Sequence, residues 1–336
     1  MTSSTGFRTH APGFADVLGP SPELVKVVST DAHEGPVYSA AEDALYVTSL
    51  PVRPPGRQGP RVAIRRVALH GTEFPVDTDR VTTLLRDANA ANGMAFDPNG
   101  RLVVCEQGGP ASPAGISIVD PATGDRLSRL EASPLGPFNS PNDVVVTSDG
   151  AIWFTDPSYG HLQGFRPAPT VGDCVYRYDP ATTEVTVVSD SLDKPNGLAF
   201  SPDETTLYVT DSGANQEAGS FYEDRPHHIV AYEVRDGRVR GTGRVFAAVS
   251  PGFPDGIKVD SQGRVYASSA SGVQVYDSAG LHLGEITLNG AVNFVFGGAG
   301  SNVLFITADD AIWAAVLRAT GARPPAHQHI RELKGA

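Results

Sequence analysis

Six short apolar segments of this chain open on a side chain that carries a hard oxygen donor. They are Glu34-Gly-Pro-Val-Tyr, Asn92-Gly-Met-Ala-Phe, Asn142-Asp-Val-Val-Val, Asn196-Gly-Leu-Ala-Phe, Asp255-Gly-Ile-Lys-Val and Asn293-Phe-Val-Phe-Gly. Carboxylates and carboxamides of this kind suit a Ca2+-type ion better than a soft metal. Mg2+, Mn2+ and Zn2+ compete for such sites, with availability deciding. For any single Asn-Gly the plain reading is a turn dipeptide. Glu34 and Asp255 carry the discrimination, because an acid ahead of an apolar strand has less structural reason to be there.

The openings must be brought together by the elements that follow them. They recur at intervals of about 40 to 60 residues, the range of propeller blades. Each is followed by a turn rich in Asp, Pro, Asn or Gly, such as Asp97-Pro-Asn-Gly and Ser201-Pro-Asp-Glu. Pro presets φ, Gly accepts positive φ, and Asp or Asn bonds the local backbone. A second strand comes next (Ala151-Ile-Trp-Phe-Thr-Asp, Thr206-Leu-Tyr-Val-Thr-Asp), then a third and usually a fourth. This grammar predicts an all-β six-bladed β-propeller. No fourth strand follows Arg318, so Leu24-Val-Lys-Val-Val-Ser is expected to close the last blade. The domain is read as one propeller over 1–336, with a core of about 20–320 and polar tails. The innermost strands of a propeller start at one mouth of the axial channel. Glu34, Asn142, Asn196 and Asp255 can therefore share one ligand, and without a cation the paired carboxylates would be strained.

Bulk composition excludes several classes. The chain has 336 residues and a net charge of −12, with no Lys/Arg cluster of the kind a nucleic-acid binder shows. No apolar stretch reaches membrane-spanning length, and residues 1–14 lack a signal-peptide core. Cys105 and Cys174 lie in strand-like runs and read as buried thiols in a reducing, cytoplasmic setting.

The motifs resemble those of the SMP-30/gluconolactonase/LRE-like family of Ca2+-dependent lactonases. The matching stretches are residues 34–38, 92–102, 140–160, 194–213 and 254–260, and the likeness runs over about 14–318. The resemblance implies that Glu34, Asn196 and Asp255 ligate the metal directly. It implies that Asn142 binds the metal, its water or the substrate, and that Asp255 is the general base. Gln107 stands where many bacterial gluconolactonases have His. Residues 156–160 and 163–167 look more like the fungal-type lactonohydrolases.

The expected chemistry is metal-assisted opening of a lactone, a small-molecule substrate, by water. Asn92, Asn142, Gln107, Tyr159 and His33 are the expected substrate-binding set. The competing readings are a phosphotriesterase-like hydrolase, a lactone isomerase or biosynthetic enzyme on the same site, and a non-catalytic ligand- or protein-binding propeller. Ser140 and Ser158 lack recognisable triad partners. His33 reads as a pocket-wall histidine, and His227-His228 as a surface pair.

Overall fold

The computed structural model describes residues 6–322; the polar stretch from Arg323 with His327 and His329 lies outside them. Among the described residues, six antiparallel blade sheets follow one another along the chain, five of them with four strands and one with five, beside a small two-stranded ribbon at Ala132–Ser133 and Gly136–Pro137. They form the expected six-bladed propeller. Their innermost strands are Glu34–Ser39, Ala91–Phe96, Val144–Val146, Pro195–Phe200, Ile257–Val259 and Asn293–Gly297. Strand Leu24–Ala32 pairs with Asp309–Val316 as the outer strand of the sixth blade and runs through His33 into the first. The last and first blades are thus joined through one strand, which closes the ring.

Alternation along each strand places apolar side chains on both faces, and apolar clusters fill all six junctions between neighbouring blades. Trp153 and Val175 of the third blade, for example, meet Leu207 and Val209 of the fourth. The segment before residue 20, expected as part of a polar tail, is tied down instead. Phe7–Thr9 adds a fifth strand to the fifth blade, and Phe14 and Val17 are fully buried against Leu283 and Ile286. Three apolar side chains in a polar stretch are enough to anchor it. No helix among the described residues is long and apolar enough to cross a membrane.

The blades are bolted to one another around the axis by hydrogen bonds at the strand openings. Four come from a buried threonine near the end of the second strand. Thr48 donates to Asn92 O at 3.2 Å, Thr155 to Asn196 O at 2.7 Å, Thr210 to Asp255 O at 3.0 Å and Thr307 to His33 O at 2.8 Å. The second and fifth blades carry Cys105 and Ser268 at that place. Ser268 is occupied by the Asp255 N–H at 3.1 Å. Glycine backbone closes these two junctions: Gly93 N–H reaches Asn142 O at 2.7 Å, and Gly256 N–H reaches Val292 O at 3.2 Å.

This proximity explains the glycine after so many openings. A Cβ on Gly197 would lie 2.3 Å from Asp255 O, and one on Gly93 would lie 2.4 Å from Asp143 Oδ1. Neither residue has positive φ, so the demand is for space rather than for a turn. The turn-dipeptide reading of Asn196-Gly197 therefore gives way to close approach of the next blade. Gly197→Ala is expected to destabilise the fold by about 1–3 kcal/mol through overpacking. A urea midpoint equal to that of the wild type would contradict this packing.

Candidate active site

Local sequence decides how firmly each opening is held. The second strands of the third and fourth blades end in Thr-Asp, and the acid folds back on the loop leading into the innermost strand. Asp156 accepts the N–H groups of Asn139 at 2.9 Å and Ser140 at 2.8 Å, just ahead of Asn142. Asp211 accepts those of Asp193 at 3.0 Å and Lys194 at 2.9 Å, just ahead of Asn196. Glu106 ends the matching strand of the second blade and accepts from Asn89 Nδ2 at 2.8 Å, ahead of Asn92.

Glu34, Asn196, Asp255 and Asn293 lie within hydrogen-bonding or charge reach of one another, and they divide by role. Glu34 is buried, and its Oε2 accepts from Asn293 Nδ2 at 2.8 Å and from Gly35 N–H at 3.2 Å. Asn293 is held in turn, since its Oδ1 accepts the Phe294 N–H at 2.8 Å and the Lys258 ammonium at 3.5 Å. Asn293 thus orients Glu34. Asn196 is buried beside both Asp255 and Tyr159. Asn92 and Asn196 each keep a buried carboxamide oxygen with no well-formed hydrogen bond, as does Oδ2 of Asp143.

The charges are set against one another. Burial pushes Glu34 up, and Asp143 adds to this, while His33, Asn293 and the Gly35 N–H oppose it. Asp255 is pushed well above the usual carboxylate range by burial and by Glu34, with His33 and Asn196 acting the other way. Asp143 is raised by burial, against the pull of Lys258 and of the Val144 and Leu198 N–H groups. Two carboxylates that both resist ionisation face one opening.

His33 is more than a wall residue. Its ring Nδ1 lies 2.7 Å from Asp309 Oδ1. Burial opposes its charge, yet the Asp309 hydrogen bond and the charges of Glu34, Asp309 and Asp255 raise its pKa. Asp309 adopts φ of 56°, and that left-handed turn brings its carboxylate round to the imidazole. Gln107 is buried at the start of the second blade's loop, with its N–H on Ala90 O at 3.1 Å. Among the described residues, no contact joins its side chain to Glu34, Asn196 or Asp255.

The mouth is walled unevenly. Long loops at residues 49–63, 107–114, 157–173 and 212–227 join the second and third strands of the first four blades. In the fifth and sixth blades the same strands are joined by residues 270–271 and by Ala308 alone. The long loops therefore raise the rim over the first four blades and leave it low over the fifth and sixth. A cavity of about 510 Å³ lined by Thr147, Trp153, Asp203 and Arg235 lies at the far end of the blades, beside the turns that leave the innermost strands. It shares no residue with the openings.

Rival chemistry finds little support. Cys105 is fully buried, and burial followed by the charges of Asp143, Asp156 and Glu106 pushes its thiol well up, away from the thiolate. Ser140 donates to Pro157 O at 2.6 Å and accepts the Gly160 N–H at 2.9 Å, a loop brace rather than a nucleophile. His227 rests on Arg225 O at 2.9 Å. Among the described residues, no three His, Cys, Asp or Glu side chains gather as a metal cluster. Any cation here would depend on two carboxylates completed by amide oxygens.

Sequence reasoning did not identify Asp143, Lys258, Asp309 or Asp156 as parts of this arrangement. For Asp156 and Asp211 a signal existed, since an acid ends the second strand in consecutive blades. Lys258 and Asp309 gave none, because each meets its partner only across a blade junction.

Known proteins share this architecture and these sequences. The family described as SMP-30/Gluconolactonase/LRE-like region matches residues 32–310. A lactonohydrolase of Aspergillus oryzae, oryL, is 32% identical over 84% of this chain and 67% of its own length. A gluconolactonase of Zymomonas mobilis is 29% identical over 90% of this chain and 83% of its own. A solved gluconolactonase structure from Xanthomonas campestris aligns with a TM-score of 0.75 at 35% identity, covering 94% of this chain and 96% of that one.

Asp156 offers a test of how the third opening is held. Its carboxyl is pushed up to about 7 by burial, although the Asn139 and Ser140 N–H groups oppose this. A folded-state pKa above the unfolded one contributes stability that is complete at low pH and is lost as pH rises toward about 7. Asp156→Asn cannot titrate and leaves one N–H facing an amide, so it is expected to destabilise by roughly 1–3 kcal/mol. Its deficit against the wild type should shrink as pH rises from about 4 to about 7 and stay level above. A deficit that does not shrink over that range would show that Asp156 is ionised throughout.

Proposed function

This chain belongs to the SMP-30/gluconolactonase/LRE-like family, and on that premise we propose that it is a hydrolase that opens lactones with the help of a divalent cation held at the strand openings. The single observation that carries this reading is the unsatisfied ring of oxygens. Buried acceptors are almost always partnered, and leaving one unpaired costs about 1–3 kcal/mol. Here Asn92 Oδ1, Asn196 Oδ1 and Asp143 Oδ2 lack well-formed partners beside the buried Glu34 and half-buried Asp255 carboxylates, which repel each other. A hard cation that takes six to eight oxygens fits that donor set. Glu34, Asn196 and Asp255 would hold it, with Asn142 at the border, and Ca2+ is the ion these ligands favour.

The hydrolase relatives support an enzyme over a non-catalytic propeller. The bound cation would supply Lewis acidity at the lactone carbonyl. The remaining work falls to side chains. Asp255 accepts the proton of the attacking water, which adds to the carbonyl carbon. The ring C–O bond then breaks, and the departing alkoxide takes the proton that Asp255 received, which gives a hydroxy acid and restores the Asp255 carboxylate. Asp255 is suited to this only while positive charge offsets Glu34 beside it, since the Glu34 charge pushes the Asp255 carboxyl up. Asn293 keeps Glu34 turned toward the mouth, and His33 and Tyr159 border the substrate. The low rim over the fifth and sixth blades leaves room for ring substituents.

Purified protein is expected to release acid from aldono-, pantoyl- or aromatic lactones in a pH-stat, and to stop when a chelator is added. Asp255→Asn should lower kcat by about 100-fold or more. Adding Ca2+ to chelated protein should raise Tm by linkage, roughly 2–4 kcal/mol of stability at saturating ion. Absence of turnover on every such lactone would sink the reading, and full activity in Asp255→Asn would remove that residue from the mechanism.

A further inference from the structure

Tyr159 reaches the openings from outside the repeat. It belongs to the short helix Tyr159–Leu162 in the third blade's long loop, yet it is only 5% exposed. Its hydroxyl makes no well-formed hydrogen bond, although Ser212 and Asn196 lie beside it. Ser212 spends its own proton on Pro254 O at 2.5 Å. A phenol is protonated at neutral pH, so the hydroxyl is available as a donor.

The backbone around this hydroxyl is fixed with unusual care. Ser158 donates to Asp173 Oδ2 at 3.0 Å, and Asp173 pairs with Lys194 at 2.9 Å, two residues ahead of Asn196. The Gly160 N–H bonds Ser140 Oγ at 2.9 Å. Arg166 spans three segments, donating to Asn139 O at 3.0 Å, Phe138 O at 3.2 Å, Gly109 O at 3.1 Å and Ser112 O at 3.0 Å. A Cβ on Gly160 would lie 2.4 Å from Arg166 Cγ, so the chain has no slack beside Tyr159. A loop this firmly tied, carrying one buried hydroxyl that makes no well-formed hydrogen bond, has the form of a preorganised donor whose best acceptor arrives with the substrate.

We infer that the Tyr159 hydroxyl donates a hydrogen bond to the oxyanion that forms when water adds to the lactone carbonyl. This rests on the lactonase reading above. The bond is made most strongly as negative charge develops on the carbonyl oxygen, so it lowers the barrier more than it tightens ground-state binding. No proton is transferred to or from Tyr159, and the donor is regenerated unchanged each turnover.

Tyr159→Phe keeps the ring and removes the donor. Its kcat is expected to fall about 100-fold while KM stays within about twofold. Tm should be unchanged or higher, since an unpaired buried hydroxyl is lost. Turnover within about threefold of the wild type would overturn the inference. A loss expressed wholly in KM would also overturn it, by making Tyr159 a wall of the pocket. So would a loss accompanied by a lower Tm, by making it a structural residue. The wild-type protein run alongside separates the two readings. If it opens no lactone, the lactonase reading fails and this inference fails with it. If it opens lactones and Tyr159→Phe keeps pace, this inference alone fails.

Discussion

The structure depends on the hydrogen bonds that join each blade to the next at the strand openings. Thr48, Thr155, Thr210 and Thr307 supply four of them, and the backbone of Gly93 and Gly256 supplies the other two. Each bond ends on or beside an opening residue, so closing the ring and placing the opening side chains are one event. The backbone carbonyls of Asn92, Asn142, Asn196 and Asp255 are consumed by the girdle. Their side chains are thereby left free to face the mouth. Where the threonine is replaced, by Cys105 and Ser268, a glycine N–H makes the link, because only a residue without Cβ lets the strands come that close.

The same convergence creates the electrostatic problem that the site uses. Glu34, Asp143 and Asp255 are drawn into one desolvated region, and each raises or is raised by another. Within the protein the compensation is partial. Lys258 offsets Asp143, His33 with Asp309 offsets Glu34 and Asp255, and Asn293 donates to Glu34. These partners hold the carboxylates in place without neutralising the mouth. A cation held there, as proposed, would complete the balance and link its affinity to fold stability. The protonated phenol of Tyr159 adds a donor to a region otherwise crowded with acceptors.

Much of this was legible in sequence because the repeat is strict. Glu34, Asn142, Asn196 and Asp255 each open an apolar segment at a regular interval, and in a propeller that position has one spatial meaning. The closing role of Leu24–Ala32 followed from a missing strand after Arg318, and the sheet pairing bears it out. The anchoring of Phe7, Phe14 and Val17 was not legible. A few apolar side chains in a polar stretch carry no periodicity, and their partners Leu283 and Ile286 lie at the other end of the chain. Asp309 was equally silent, since its role requires a left-handed backbone turn and a histidine from another blade.

By itself the sequence determined the fold class and the types of oxygen donor that would meet. Strand period, turn chemistry and residue order are local properties, and repetition converts them into geometry. Only the tertiary structure decided the division of labour among the six openings. Asn293 became the holder of Glu34, Asn196 the neighbour of Asp255 and Tyr159, and Gly197 a point of contact rather than a turn. These roles turn on distances of a few tenths of an ångström between segments remote in the chain. Such distances are set by how six sheets pack around one axis, and no single segment encodes them.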